Sequence, residues 1–112
     1  MDGTAIMQGL ATVFIAQMSG IDLTLFQYMQ VVLLAVATSI GTAAVPSAGT
    51  ITLIIILQQF NLPLEAIGII LAVDRVLDMI RTSVNVTGDA AIACIVAKTE
   101  NQLDENIFNS KA

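Results

Sequence analysis

The chain has 112 residues, 56% of them apolar and 12% charged, with a mean hydropathy of +0.86. That excludes an ordinary soluble domain, in which about a quarter of the residues are charged, and a net charge of −5 excludes a nucleic-acid surface, which needs clustered cations. One cysteine (Cys94) excludes an internal disulfide and a cysteine-built metal centre, and the lack of any histidine excludes Ser-His-Asp and Cys-His catalysis. The first segment, residues 1–22, is no signal peptide: Met1-Asp2-Gly3 carries no basic charge, and Gln8 and Thr12 interrupt the apolar run. Asp2 directly before a helix of membrane character predicts a fragment of a longer membrane protein. Ala5 to Met18 predicts a helix of about 14 residues, ~21 Å, too short to cross a bilayer alone. It fits the second half of a helix broken near Gly3. Ser19-Gly20-Ile21-Asp22 then supplies a glycine stop and a loop without Lys or Arg, expected to face away from the cytoplasm.

Residues 23–62 form an uncharged block, and its middle, Ser39-Ile-Gly-Thr-Ala-Ala-Val-Pro-Ser-Ala-Gly-Thr50, is rich in small residues around Pro46. Two readings stay open here. One is a single spanning helix kinked at the proline. The other is a re-entrant helical hairpin whose tip, at Val45 to Gly49, lies deep in the membrane, where irregular backbone is tolerated only if it lines a cavity or is covered by protein. Asn61 or Leu62 is then expected to cap a new helix with Pro63 in its first turn and Glu65 at the positive end of its dipole. Residues 63–97 make the last transmembrane helix, running from about Leu64 to Ala97, with a tilt or break near Gly68 or Gly88 because it is longer than a bilayer needs. The tail, 98–112, is polar with two lysines, and is expected to be cytoplasmic and mobile.

On that last helix Asp74, Asp78, Arg81, Asn85 and Asp89 fall within one narrow arc at about 100° per residue, with Thr82 at its edge. Asp78 and Arg81 stand at i, i+3 and neutralise each other. Asp74, Asp89 and Asp2 are then left over, and buried carboxylates in excess protonate or take cations. Hard oxygen ligands such as Asp89 and the Asn85 carbonyl suit alkali ions. The Arg81 guanidinium offers a fork for a carboxylate, and an aspartate one turn away could hold an ammonium. Together they sketch a site for a zwitterion with an additional acidic group; a structural network that only holds helices together is the competing reading. Asn85-Val86-Thr87 matches a glycosylation sequon but lies inside the helix. Thr87-Gly88-Asp89 is close to the Gly-x-Gly-Asp of intramembrane aspartyl proteases, but Val86 replaces the first glycine and the partner Tyr-Asp motif is missing. No enzyme is expected.

Three motifs in order carry a resemblance. Met1-Asp2-Gly3-Thr4 is similar to the end of the Asn-Met-Asp-Gly-Thr motif of the dicarboxylate/amino acid:cation (sodium) symporters, the glutamate/aspartate transporter family. Ser39 to Gly49, SIGTAAVPSAG, resembles the tip of that family's second hairpin. Asp74 to Asp89 with Lys98-Thr99-Glu100 resembles its eighth transmembrane helix. The resemblance implies an all-α membrane protein, the C-terminal part of a glutamate-transporter-like transport domain: half-helix, re-entrant helical hairpin and long broken transmembrane helix.

It further implies a sodium-coupled, multi-pass symporter of the plasma membrane, or of the inner membrane if bacterial. Such a protein works as a homotrimer by elevator-type alternating access, with sodium ions and no organic cofactor. By similarity, Asp78 receives the substrate amino group and Arg81 its side-chain carboxylate, with Thr82, Asn85, Thr4 and backbone near Val45 and Gly49 completing the substrate site. Asp89 and the Asn85 carbonyl hold one sodium, Asp2 serves a second, and Met1 with carbonyls at Ser39, Ile40 and Thr42 a third. Having both Arg81 and Asp78 favours aspartate or glutamate over the C4-dicarboxylates or neutral amino acids that other family members carry.

Overall fold

A computed structural model describes residues 1–110. Helix α1 spans Asp2–Met18, α2 Leu25–Gly41, α3 Ala48–Gln59, α4 Ile67–Thr99 and the short α5 Glu105–Phe108. Three helix ends are closed in the same way, by a residue with positive φ followed by a residue whose N–H reaches back five positions. Gly20 (φ 69°) ends α1, and Ile21 N–H donates to the Ala16 carbonyl at 2.9 Å. Asn61 (φ 53°) ends α3 with Leu62 N–H on Leu57, and Asn101 (φ 54°) ends α4 with Gln102 N–H on Ala97. These bonds satisfy last-turn carbonyls that would otherwise be orphaned. At the start of α2, Thr24 and Gln27 form a capping box, each side chain taking the other's backbone N–H.

Helices α2 and α3 form a hairpin in place of one kinked helix. The first turns of α2 (Gln27, Gln30, Leu33) share a cavity with the end of α3 (Gln59, Phe60, Asn61), so the two arms run antiparallel. Its tip is Thr42 to Ser47, about one turn earlier than Val45 to Gly49. Ser47 takes a left-handed conformation (φ 64°) that turns the chain, so Ala48 and Gly49 already belong to α3. The tip itself holds few backbone bonds, among them Val45 N–H to Ala43 and Ala48 N–H to Val45.

Other expected boundaries also shift. Gly3 and Thr4 lie in the first turn of α1, which starts at Asp2 and not at Ala5. Pro63 is the cap of a single 3-10 turn, Leu64–Ala66, that precedes α4. Helix α4 is unbroken through both Gly68 and Gly88 over 33 residues, or about 50 Å at 1.5 Å per residue. An interior glycine costs only about 1 kcal/mol against alanine, too little to interrupt so long a hydrogen-bonded rod. Nor is the tail structureless: Asp104 caps α5 through the N–H groups of Asn106 and Ile107, and Lys98 Nζ lies 3.4 Å from Glu105 Oε1. The expectation for Lys111 and Ala112 falls outside the described residues.

Helix α1 is the hub, in contact with α2, α3 and α4. Ile15 of α1 and Leu53 and Leu57 of α3 are fully buried, joined by Leu62 from the turn after α3 and by Ile67 and Ile70 from the start of α4. The outer faces stay apolar: Leu10, Leu25, Phe26, Ile40, Val76 and Ile92 all stand exposed. Apolar surface on this scale is a contact surface for further protein or lipid. Among the described residues no helix is long and apolar enough to cross a membrane. Helices α2 and α3 are apolar but span 17 and 12 residues, whereas α4 has the length but carries the polar stripe.

Candidate functional site

The site forms where α1 and the hairpin tip meet the middle of α4. Of the charged groups on α4, Arg81 alone is buried, at 7% exposure. One guanidinium nitrogen, Nη2, donates to Asp78 Oδ1 one turn away, and Nη1 lies 3.9 Å from the Met7 thioether of α1. The guanidinium lies close against the first turn of α3. A Cβ on Gly49 would sit 3.0 Å from its central carbon, so glycine is what admits the cation there. A fork of N–H donors beside a helix N-terminus is an arrangement that attracts a carboxylate.

Asn85 fastens α1 to α4. Its side-chain oxygen accepts the Gly3 N–H at 2.9 Å, and its amide nitrogen donates to the Thr4 hydroxyl at 3.2 Å. The backbones touch at this crossing, because a Cβ on Gly3 would stand 2.7 Å from the Arg81 carbonyl oxygen. Gly3→Ala is therefore expected to push the helices apart and cost about 1–3 kcal/mol, as overpacking does. Gly9, with nothing within 4 Å of its added Cβ, serves as the matched control. Gly9→Ala should be neutral or stabilising by helix propensity. Melting temperatures of the two variants check this, and equal effects would refute the close approach.

A cavity of about 340 Å³ opens at this junction. All seven residues expected to bind substrate line it: Thr4 from α1, Val45 and Gly49 from the hairpin, and Asp78, Arg81, Thr82 and Asn85 from α4. The cation set is less gathered. Met1, Thr42, Asn85 and Asp89 line the cavity, whereas Asp2, Ser39 and Ile40 do not. Asp2 lies against α4 instead, where its carboxylate would be 3.3 Å from a Cβ on Gly88, the neighbour of Asp89. Among the described residues no three carboxylates gather, and Asp74 keeps one buried oxygen without a partner.

Met7 and Gly3 are the site residues that reading the sequence did not assign. Met7 follows Thr4 by three positions and so lies on the same face of α1, which is the signal that marks it. A second cavity of about 320 Å³ runs between α1 and α4 past Ile6, Leu10, Phe14, Leu77 and Ile80. Its walls are apolar, and Arg81 lines both cavities.

Residues 1–99 match the model of the sodium:dicarboxylate symporter family. The chain is 49% identical over 112 residues to excitatory amino acid transporter 3 of Mus musculus, covering 99% of this chain and 21% of that protein. It is 50% identical over 96 residues to excitatory amino acid transporter 2 of Mus musculus, covering 86% of this chain and 17% of that protein. Against the proton/glutamate-aspartate symporter of Escherichia coli (strain K12) it is 41% identical over 104 residues, covering 93% and 24%. The chain thus spans about a fifth of the length of the curated relatives it matches. With its three motifs in order on α1, the hairpin and α4, and a match over residues 1–99, the chain belongs to the sodium:dicarboxylate symporter family.

Proposed function

We propose that this chain carries the substrate and cation core of a sodium-coupled symporter for acidic amino acids, aspartate or glutamate. The observation that carries the proposal is Arg81. Its buried guanidinium has one carboxylate oxygen and one thioether as partners, and it lines a cavity whose wall mixes the polar groups of α4 with the small apolar residues of the hairpin tip. A buried cation is retained at such a cost only where its pairing is completed. An amino acid with an acidic side chain completes it, giving a carboxylate to Arg81 and an ammonium to Asp78. Thr82, Asn85 and Thr4 contact the rest of the molecule, with backbone at Val45 and Gly49.

The cation part of the reading follows the family resemblance, since Asp2 and Asp89 stand exposed and burial alone does not require a counter-ion there. Asp78 and Asp89 line the cavity and Asp2 lies close to Gly88, against the single positive charge of Arg81. In this reading Asp89 and the Asn85 carbonyl hold one sodium, Asp2 serves a second, and Met1 with the Ser39, Ile40 and Thr42 carbonyls a third. The excitatory amino acid transporters and the glutamate-aspartate symporter among its relatives support the substrate class. The wider picture follows the family resemblance: a homotrimer in the plasma membrane, or inner membrane if bacterial, working by elevator-type alternating access. There residues 23–62 are re-entrant, residues 63–97 cross the bilayer and 98–112 face the cytoplasm. Calorimetry of the full-length natural protein with aspartate, in sodium and in choline, tests the reading. Binding that requires sodium is expected; no binding, or equal binding in choline, refutes it.

A further inference from the structure

Gln8 of α1 does not line the cavity, yet it holds both arms of the hairpin that roofs it. The side chain is fully buried. Its amide oxygen accepts the Thr38 hydroxyl of α2 at 2.8 Å, and its amide nitrogen donates to the Thr52 hydroxyl of α3. Each contact continues toward the tip. The Thr52 hydroxyl donates onward to the Gly49 carbonyl at 3.0 Å, in the turn that lies against Arg81. On the other arm, Thr42, the first residue of the tip, donates its hydroxyl to the Thr38 carbonyl at 2.6 Å. Gln8 is itself fixed in α1, where its carbonyl accepts the Thr12 hydroxyl at 2.7 Å.

We propose that Gln8 is a positioning residue whose amide clasps the two hairpin arms one turn below the tip and so sets how closely the tip covers the cavity. The inference rests on that cavity being the ligand site. An amide suits the task because it accepts from one arm and donates to the other at the same time. An apolar side chain of similar shape fills the space and makes neither bond. Losing the clasp need not unfold the protein, because both threonines keep acceptors in their own helices: Leu34 for Thr38, Ala48 and Gly49 for Thr52. The tip, with its few backbone bonds, is then held by the arms alone.

The test uses the full-length natural protein without ligand, with native cysteines such as Cys94 replaced. Thr4→Cys, at a position buried against the cavity, reports cover by the tip, and Leu25→Cys, exposed at the far end of the hairpin, reports general loosening. Gln8→Met is expected to speed thiol modification at position 4 by about tenfold, the shift that follows from losing one net hydrogen bond of ordinary strength. Modification at position 25 should be unchanged. Thr52→Val, which cuts the relay to Gly49, should reproduce the effect, and combining it with Gln8→Met should add little. If Gln8→Met does not fold, Thr52→Val carries the test alone. Modification at position 4 at the parent rate, or an equal rise at position 25, overturns the clasp. Because no ligand is used, that result leaves the substrate assignment standing. Failure of the unsubstituted protein to bind aspartate in sodium refutes the substrate assignment and leaves the labelling rates unaffected.

Discussion

Arg81→Cys in the full-length natural protein is expected to lose high-affinity aspartate binding and to leave serine as the better ligand. The guanidinium is 8% exposed, and Asp78, its one charged partner among the described residues, is 42% exposed. A carboxylate arriving in the cavity meets this guanidinium in its wall. Truncating one side of a buried charged pair costs about 3–5 kcal/mol, several hundredfold or more in affinity. Serine has no second carboxylate and forfeits nothing when the guanidinium goes. The fold should survive, because the abandoned Asp78 is part-exposed and a buried charge has been removed. Sodium-dependent binding of aspartate and serine decides the matter: a variant that still prefers aspartate places the carboxylate elsewhere and refutes the role given to Arg81.

Asp78→Asn is expected to produce the opposite selectivity. Asp78 lies on the cavity wall and is bonded to Arg81. An ammonium that settles on this carboxylate makes a charge-assisted hydrogen bond worth about 1.5–3 kcal/mol, or roughly 10- to 100-fold in affinity. Aspartate should weaken by that factor. Succinate has no ammonium, and the substitution removes both a negative charge facing it and a competitor for Arg81, so its binding should hold or tighten. Competition assays with both ligands measure this directly. Equal losses for aspartate and succinate would mean that Asp78 acts only by orienting Arg81.

The polar stripe of α4 is legible because helical periodicity is local: five residues three or four positions apart share a face whatever surrounds them. The same holds for the glycine that ends α1, whereas the residues around Pro46 left a kinked helix and a hairpin both open. Errors in boundary had tertiary causes. Gly49 reads as part of the irregular tip, but it is a helical residue whose missing side chain makes room for Arg81. Gly88 reads as a break in α4, but it is where the Asp2 carboxylate comes close to an intact helix.

By itself the amino-acid sequence determined the all-helical class, the polar face of α4, and the family through three motifs. Each of these depends on neighbours within a few turns or on short contiguous strings. Tertiary structure alone decided which groups meet. Gly3 and Asn85 lie 82 positions apart, and Gln8 reaches Thr38 and Thr52 across 30 and 44. Only the packing of α1 between α4 and the hairpin could make a clasp of one glutamine and bring the seven scattered residues expected to bind substrate to one cavity, because contacts at that range follow from how helices bury their faces and not from any local pattern.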